Sequence, residues 1–286
     1  MMNLRIGGVP EHFNLPWRLA LEAERFAPLG VDIDWHDYAG GSGAMAKALR
    51  AGELDAALLL TEGAVAAVGE GTPLEIVSRY TDSPLIWGIH VPAASRFRAV
   101  TELERGRYAI SRAGSGSQLM AYVHARARGW ALDGLAFVTV GNLDGAVAAF
   151  ATGKADVFFW EKFMTKPLVD AGTFRRVGDF TAPWPAFVVC AARSLDGARR
   201  EALERALETV LDEARALRER PDAAQLIAGR YALGASDVAE WLQSTRWSTA
   251  VGIDANDLDL ACRTLGSLGV LQRAVTAADC MAKRPR

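Results

Sequence analysis

Up to residue 190, the chain alternates short apolar runs with stretches of helical periodicity. The apolar runs predict strands at residues 4–8, 30–38, 55–60, 74–80 and 85–91. Apolar residues spaced three and four apart predict helices over residues 19–30 and 44–51, the second ending at Gly52. Strands and helices that alternate at this spacing are typical of parallel βαβ units.

A second set of elements in the same order begins near residue 107. It comprises predicted strands at residues 107–112, 135–140 and 155–160 and predicted helices at residues 118–128 and 143–152. Residues 48–56 align with residues 149–157, because each segment ends a helix, has a glycine suited to the left-handed C-cap and opens a strand with aspartate. The sequence therefore predicts two similar α/β lobes.

The chain beyond Ala192 is helical in pattern and contains no convincing strand. Helices are predicted at residues 194–220, 222–231, 236–245 and 254–268. Ser236 and Asp254 are the candidate N-caps of the last two helices. We expect this helical C-terminal return to pack on the first lobe.

Two extended, apolar segments that contain proline, residues 83–91 and 183–190, connect the lobes. Two such crossings would form a hinge above a ligand cleft, and closure around the ligand is the expected motion. The first lobe then comprises residues 1–87 and 189–286, and the second lobe residues 88–188. The predicted fold class is α/β, with two Rossmann-like lobes joined by two crossing strands.

Composition narrows the classes of partner. The 286 residues carry 34 acidic and 32 basic side chains, which gives no electrostatic reason to expect a nucleic acid. No stretch approaches the ~20 apolar residues of a membrane span, so direct membrane insertion is not expected. The N-terminal residues do not match a secretory signal, so the expected location is cytoplasmic. A periplasmic location would require a leader that has been removed.

Catalytic and metal-binding signatures are sparse. Cys190, Cys262 and Cys280 lack metal-ligand spacing and are expected to be buried or incidental thiols. The four histidines are dispersed, and the sequence contains neither a GxSxG elbow nor an HExxH motif. We therefore expect no metal ion and no cofactor, and we assign no catalytic residue.

Four spaced motifs resemble those of a known family. They are Pro-Glu-His-Phe at residues 10–13, Ser-Arg-x-Gly-Ser-Gly-Ser at residues 111–117, Trp-Glu-x-x-x-Thr-Lys-Pro at residues 160–167 and Pro-Trp-Pro at residues 183–185. With the lobe plan, they make the chain resemble the type 2 periplasmic binding proteins, in the branch that binds sulfonates, taurine and thiamine-precursor pyrimidines. The motifs are similar to those of leaderless binding-protein-like proteins of yeasts and bacteria. The resemblance implies a small-molecule ligand and, for a transport receptor, an ABC transporter as partner.

Two glycine-rich loops precede predicted helices, one in each lobe. Residues 114–117 read Gly-Ser-Gly-Ser, and residues 40–43 read Gly-Gly-Ser-Gly. Glycines allow backbone N–H groups to converge, and a helix N-terminus favours an anionic or strongly hydrogen-bonding group. The alternative is an ordinary serine N-cap after a flexible loop.

Acidic residues follow the third strand of each predicted lobe, as Thr61-Glu62 and Trp160-Glu161. Two carboxylates that face a cleft would bind amino or amidine-like nitrogens, and a tryptophan would stack on a planar ring. The alternative is that both carboxylates stabilise the first turn of the helix that follows.

Arg112 can pair with a ligand carboxylate, sulfonate or phosphate, or form an ion pair that holds its own loop. His12 can contact a ligand or act as a general acid or base, and its alternative role is a cap or surface residue. Trp184 either lines the cleft or fills the hinge core. The predicted ligand contacts are Glu11, His12, Asn14, Gly41, Ser42, Gly43, Thr61, Glu62, Trp87, Arg112, Ser115, Gly116, Ser117, Trp160, Glu161 and Trp184.

These observations favour a non-catalytic solute-binding protein that closes two lobes on a polar, planar or anionic metabolite. A thiamine-pyrimidine-like or a sulfonate-like ligand is implied by the resemblance. The main alternative is a cytoplasmic enzyme on the same scaffold, similar to the pyrimidine-precursor synthases or the menaquinone-pathway enzymes. A regulatory sensor domain is a third alternative.

Overall fold

The computed structural model describes residues 1–281 and contains one eight-stranded mixed sheet. The strands are β1 (Met2–Gly8), β2 (Val31–Asp37), β3 (Ala56–Leu60), β4 (Leu74–Pro92), β5 (Arg107–Ile110), β6 (Ala136–Thr139), β7 (Val157–Glu161) and β8 (Phe174–Ala192). Their order across the sheet is β2-β1-β3-β8-β4-β7-β5-β6. We call β2-β1-β3 the first flank and β7-β5-β6 the second flank.

Helices connect these strands and continue beyond the last one. Those between strands are α1 (Leu15–Glu22), α2 (Gly41–Ala51), α3 (Thr61–Gly69), α4 (Gly116–Ala127), α5 (Leu143–Ala151) and α6 (Lys166–Asp170). Those after β8 are α7 (Gly197–Glu219), α8 (Ala223–Tyr231), α9 (Ala235–Ser244), α10 (Ala255–Ser267) and α11 (Ala277–Cys280). Within residues 1–281, no helix is long and apolar enough to cross a membrane.

Both flanks contain the parallel pairs that the sequence predicts. Strand β1 pairs in parallel with β2 and β3, and strand β5 pairs in parallel with β6 and β7. Two antiparallel strands of 19 residues each, β4 and β8, lie between the flanks and pair with each other. The carboxyl ends of the outer strands therefore face each other across the centre of the sheet.

The prediction of two separate strands over residues 74–91 is wrong, because β4 runs through Leu74–Pro92 without interruption. Its pairing with β8 shifts register several times, including on both sides of the Pro84–Pro185 pair. Proline lacks the N–H that a regular ladder needs, and these irregularities accommodate it without ending the strand.

The aligned segments at residues 48–56 and 149–157 have the same local structure. Each helix ends before a glycine with positive φ, at Gly52 and Gly153. Arg5 donates two side-chain hydrogen bonds and its backbone N–H to Asp55, and Arg107 makes the same three bonds to Asp156. Each aspartate thus ties the end of a helix to the first strand of its flank, and the internal repeat is confirmed at this level.

The predicted helix over residues 19–30 is wrong in its extent. Helix α1 spans Leu15–Glu22, and Glu24 takes a positive φ of 51°. Pro28 then lies in a separate 3-10 turn, Ala27–Leu29. Proline cannot continue an α-helix because it lacks the N–H and clashes with the preceding turn. The apolar periodicity of the sequence therefore extends beyond the end of the helix.

The helices beyond β8 agree with the predicted order, with one error at a cap. Asp254 caps α10 in a capping box with Asp257, as predicted. Ser236 is not a cap, because α9 begins one residue earlier and Gly234 takes the cap position. Helix α7 packs on α1 and β1, whereas α10 packs on α3, β8 and α4. The helical return therefore contacts α4, which precedes the second flank's β6, as well as the first flank.

Candidate functional site

A cavity of about 220 Å³ lies where the two flanks face each other. Residues from β3, β4, β7 and β8 form part of its wall, and the starts of α2, α4 and α5 form another part. The loop after β1 completes it with Val9, Pro10 and Glu11. Ligands in open α/β sheets bind beyond the carboxyl ends of the strands, which is where this cavity lies.

The helix starts present backbone donors to the cavity. Gly41 and Ser42 of α2 and Gly116 and Ser117 of α4 line it, and neither helix has a side-chain cap. The first N–H groups of a helix have no partner within the helix, and they carry partial positive charge. These two helix starts can therefore accept an anionic or strongly hydrogen-bonding group of a ligand.

Arg112 is the cationic side chain of the cavity wall. It is half-buried, and among residues 1–281 its guanidinium makes no hydrogen bond or ion pair. Burial lowers its pKa, and the charge of Glu70 opposes that shift. The guanidinium lies so close to Gly43 that a Cβ at that position would overlap it. A glycine at residue 43 is therefore required for Arg112 to lie beside the start of α2.

Three carboxyl groups line the same cavity, those of Glu11, Asp144 and Glu161. Glu161 is 5% exposed, and its Oε2 accepts the backbone N–H groups of Phe163 and Met164 at 2.8 and 2.6 Å. Desolvation raises the pKa of Glu161 to about 8, and the charge of Glu11 adds to the increase. Desolvation also raises the pKa of Glu11 to about 7. Glu161 and Glu11 therefore titrate near neutral pH.

Aromatic and aliphatic side chains form the remaining wall. Trp87 on β4 is directly paired with Glu161 on β7, and Trp160 stacks on Phe158 with 5.0 Å between ring centroids. A Cβ at Gly116 would lie 3.0 Å from Cη2 of Trp87, so glycine allows the close approach of α4 to this indole. Two tryptophans in one cavity provide flat surfaces for a planar ligand.

Comparison with known structures identifies this architecture. The CA3427 gene product of Candida albicans, described as exhibiting the generic periplasmic binding protein fold, superposes with a TM-score of 0.90. The two chains are 22% identical over 99% of this chain and 97% of that chain. The chain has the type 2 periplasmic-binding-protein-like fold. The family model described as Ca3427-like PBP matches residues 87–180.

Other structures share the periplasmic binding protein fold. The alkanesulfonate-binding protein SsuA of Xanthomonas axonopodis pv. citri, bound to MOPS, has a TM-score of 0.84 and 18% identity, over 99% of this chain and 98% of that chain. A putative sulfonate ABC transporter SsuA protein of Methylobacillus flagellatus KT has a TM-score of 0.70 and 14% identity, over 99% and 92%. No curated protein matches the chain. These likenesses confirm the predicted fold class.

The cavity of this periplasmic binding protein fold is lined by nine of the sixteen residues predicted as ligand contacts. Those that line it are Glu11, Gly41, Ser42, Trp87, Arg112, Gly116, Ser117, Trp160 and Glu161. The residues come from segments far apart in sequence, and the strand order of the sheet brings them together. Their contact with a ligand stays a prediction.

His12 and Asn14 lie outside the cavity lining. His12 is fully buried in an aromatic cluster with Phe13 and Trp241, and desolvation lowers its pKa to about 3. The Asn14 Nδ2 atom donates to the carbonyl of Val9 at 2.8 Å. His12 packs in the aromatic cluster and Asn14 bonds to Val9, so both residues stabilise the loop that carries Glu11.

Thr61, Glu62 and Trp184 also lie outside the lining and connect α3 to β8. Thr61 donates to the carbonyl of Pro185 at 2.6 Å, and Nε1 of Trp184 donates to Oε2 of Glu62 at 2.8 Å. Glu62 is 1% exposed and lies in the first turn of α3. Desolvation raises the pKa of Glu62 to about 7, and the Trp184 hydrogen bond opposes this shift.

Ser115 and Gly43 support the lining from behind. Ser115 is 1% exposed, and its hydroxyl lies 3.0 Å from that of Ser117, which accepts the N–H of Ser111. Gly43 is adjacent to the Arg112 guanidinium. Ser115 therefore affects the cavity through Ser117, and Gly43 affects it through Arg112.

Several lining residues were not predicted from the sequence. They are Val9, Pro10, Ala39, Gly40, Leu60, Leu85, Ser111, Asn142, Leu143, Asp144, Met164 and Phe187. Asn142 has a recognisable signal, since it follows a strand and caps α5 by accepting the N–H of Gly145 at 2.9 Å. The apolar members carry no such signal, because an apolar residue beside a cavity has the same sequence pattern as one in the core.

Proposed function

We propose that this chain is a small-molecule-binding protein whose two lobes close on a polar, planar or anionic ligand. The lobes are residues 1–87 with 189–286, and residues 88–188; residues 282–286 of this division lie outside the described part. The observation that carries the proposal is that Arg112, without a protein partner among the described residues, lies beside the uncapped starts of α2 and α4. These two helices begin on opposite flanks, so one ligand anion would be held by both.

The wall supports a small ligand with a flat apolar body. Trp87 and Trp160 supply aromatic surface, and the cavity volume of about 220 Å³ favours a small metabolite over a drug-sized molecule, whose pockets measure roughly 300–1,000 Å³. An arginine can bind a sulfonate, carboxylate or phosphate through two parallel N–H bonds. Sulfonate-like and thiamine-pyrimidine-like ligands are both compatible with this chemistry.

Native mass spectrometry of freshly purified protein tests the proposal, because closed clefts often retain their ligand. A retained small molecule, or stabilisation in a thermal-shift screen of sulfonates, phosphates and aminopyrimidines, is the expected result. Arg112→Gln should weaken that binding at least tenfold. The control Arg105→Gln, at an exposed residue away from the cavity, should leave the binding unchanged. Equal binding by both variants would contradict the assignment of Arg112.

The two lobes would connect through β4 and β8, which both cross the centre of the sheet. Small-angle scattering with and without the ligand tests closure, and a decrease in the radius of gyration is expected. No change in scattering with saturating ligand would contradict the hinge.

An enzyme on this scaffold is the second candidate, and one observation favours it. Glu11 and Glu161 line the same cavity, and desolvation raises their pKa values to about 7 and 8, which suits general acid–base work near neutral pH. Conversion of the bound ligand by the wild type, lost in Glu161→Gln with binding retained, would establish turnover. An unchanged ligand after prolonged incubation would leave binding as the function.

An ABC transporter would be the partner of a transport receptor with this architecture, and one neighbour in the comparison is described as part of such a system. Co-purification of a membrane permease with the tagged chain would support this partner. A chain found only in the cytoplasmic fraction and without a permease would favour the predicted cytoplasmic location.

A further inference from the structure

Glu11 and Glu161 are, with Asp144, the three carboxyl groups that line the cavity. Among residues 1–281, no lysine or arginine forms an ion pair with Glu11 or Glu161. Glu11 stands at the cap position of the His12–Asn14 turn without a side-chain cap bond, so its carboxyl is not used there. Oε2 of Glu161 accepts two backbone N–H groups, and Oε1 has no protein donor within the described chain.

Lys162, whose charge acts on Glu161, forms its ion pairs elsewhere. Lys162 follows Glu161 in sequence, but its Nζ lies 2.7 Å from Oε1 of Glu240 and 3.7 Å from Oδ2 of Asp179. Its side chain is 14% exposed and is held between these two carboxylates. Lys162 therefore pairs with Glu240 of α9 and Asp179 of β8, and its charge lowers the pKa of Glu161 only from a distance, without an ion pair to Glu11 or Glu161.

We propose that Glu11 and Glu161 form a cation subsite, and that the ligand of this protein is a zwitterion with a protonated nitrogen group beside an aromatic or apolar body. This inference rests on the proposed function, because the anionic end of the same ligand would lie at Arg112. A ligand with only an anionic group would place no positive charge against the carboxyls, whereas an ammonium or amidinium group would offset one negative charge and donate hydrogen bonds to both carboxyls. The indoles of Trp87 and Trp160 would favour the same cation.

The affinity of the subsite for a cationic group should change with pH in a defined direction. The charged groups lining the cavity are Glu11, Glu161, Arg112 and Asp144. Those behind the wall are Lys162 with its partners Glu240 and Asp179, and the buried His12 and His90, whose pKa values of about 3 and 4 keep them neutral above pH 6. Between pH 6 and 8.5 Glu11 and Glu161 lose protons, so the affinity for a cationic group rises while the affinity for a plain anion falls.

The test uses two probes of matched size, 4-(aminomethyl)benzenesulfonate and 4-ethylbenzenesulfonate, which differ in an ammonium against a methyl group. Isothermal titration at pH 6, 7 and 8.5 gives both affinities, and a pH-stat titration at pH 7 in unbuffered KCl gives the protons released. We expect the zwitterion to bind at least tenfold tighter at pH 8.5, with opposite pH trends for the two probes. Proton release is expected for the zwitterion alone.

Variants assign the effect to the two side chains. Glu161→Gln keeps an oxygen that can accept the N–H groups of Phe163 and Met164, so the fold should survive. Glu161→Gln and Glu11→Gln should each reduce the preference for the zwitterion at least fivefold. Glu204→Gln, which removes an exposed carboxylate of α7, should leave the preference unchanged.

The outcomes separate this inference from the proposed function. Equal binding of both probes, weakened by Arg112→Gln, would keep the anion-binding function and overturn the cation subsite. A preference for the zwitterion that persists in both glutamine variants would also overturn it. Binding of neither probe at millimolar concentration would overturn both proposals.

Discussion

The Glu62→Gln variant should make the protein more stable at pH 8 than the wild type. Glu62 is 1% exposed, and desolvation raises its pKa to about 7, from the 4.5 of a solvated glutamate. The protonated form is therefore the one that the folded state prefers. Glutamine has nearly the same shape and no charge, and its amide oxygen can accept the Nε1 hydrogen of Trp184 in place of Oε2.

The size of the effect follows from linkage. A group whose pKa is higher in the folded than in the unfolded state contributes stability that is complete below the unfolded pKa and is lost as the pH rises through the folded pKa. A shift from 4.5 to about 7, at about 1.4 kcal/mol per pKa unit, corresponds to about 3 kcal/mol lost between pH 4.5 and pH 8. Glu62→Gln has no carboxyl to ionise at this position. The difference between its free energy of unfolding and that of the wild type should therefore increase from pH 4.5 to pH 8.

Urea unfolding at pH 5 and pH 8 measures the effect as the change in the free energy of unfolding of each protein. The wild-type difference between the two pH values, minus that of Glu62→Gln, isolates the contribution of this carboxyl. Glu204→Gln serves as the matched control at an exposed position. The same pH dependence in the wild type and in Glu62→Gln would refute the reasoning that burial governs this group.

Three further predictions follow from individual contacts. Gly43→Ala should displace the Arg112 guanidinium and weaken 4-ethylbenzenesulfonate binding at least tenfold by titration calorimetry, while an alanine in the first turn of α2 leaves the thermal midpoint nearly unchanged. His12→Phe should remove an acid sensitivity of about 2 kcal/mol between pH 7.5 and pH 5. His12 has a folded pKa of about 3, so it stays neutral in the folded state at pH 5, whereas the imidazole of the unfolded chain binds a proton below pH 6.5 and thereby favours unfolding. Urea unfolding of both proteins at the two pH values checks this, and equal sensitivity would contradict it. Glu240→Gln removes the exposed partner of Lys162 and should cost less than about 1 kcal/mol, with the loss reduced further in 1 M NaCl; a loss that salt does not change would contradict a screened ion pair.

The predicted contacts that line the cavity are mainly those at which a local pattern and a strand end coincide. Ser42, Gly116 and Ser117 lie at helix starts, and a helix start after a strand is visible in sequence as a glycine- and serine-rich junction. Trp160 and Glu161 ended an apolar strand with a bulky and a charged residue, and both line the cavity. These signals are local, so they can be recognised in the sequence without knowledge of the tertiary contacts.

The equivalence of Glu62 and Glu161 in the repeat did not extend to their surroundings. Both follow the third strand of a flank, but Glu62 is covered by Trp184 from β8 whereas Glu161 remains at the cavity wall. The difference arises because β8 lies beside β3 and β4 lies beside β7, so different side chains cover the two strand ends. An internal sequence repeat cannot specify that difference.

The sequence alone determined most of the elements, their order and the repeated helix–glycine–aspartate junctions, because periodicity, caps and left-handed glycines act within a few residues. It also supplied the arginine, the carboxyls and the tryptophans from which the cavity is built. Only the tertiary structure decided that Glu11 rather than Glu62 shares the cavity with Glu161, and that Arg112 has no partner within the described residues. Pairings between strands that are distant in sequence determine which side chains line the cavity. The burial that results raises the pKa values of Glu11 and Glu161.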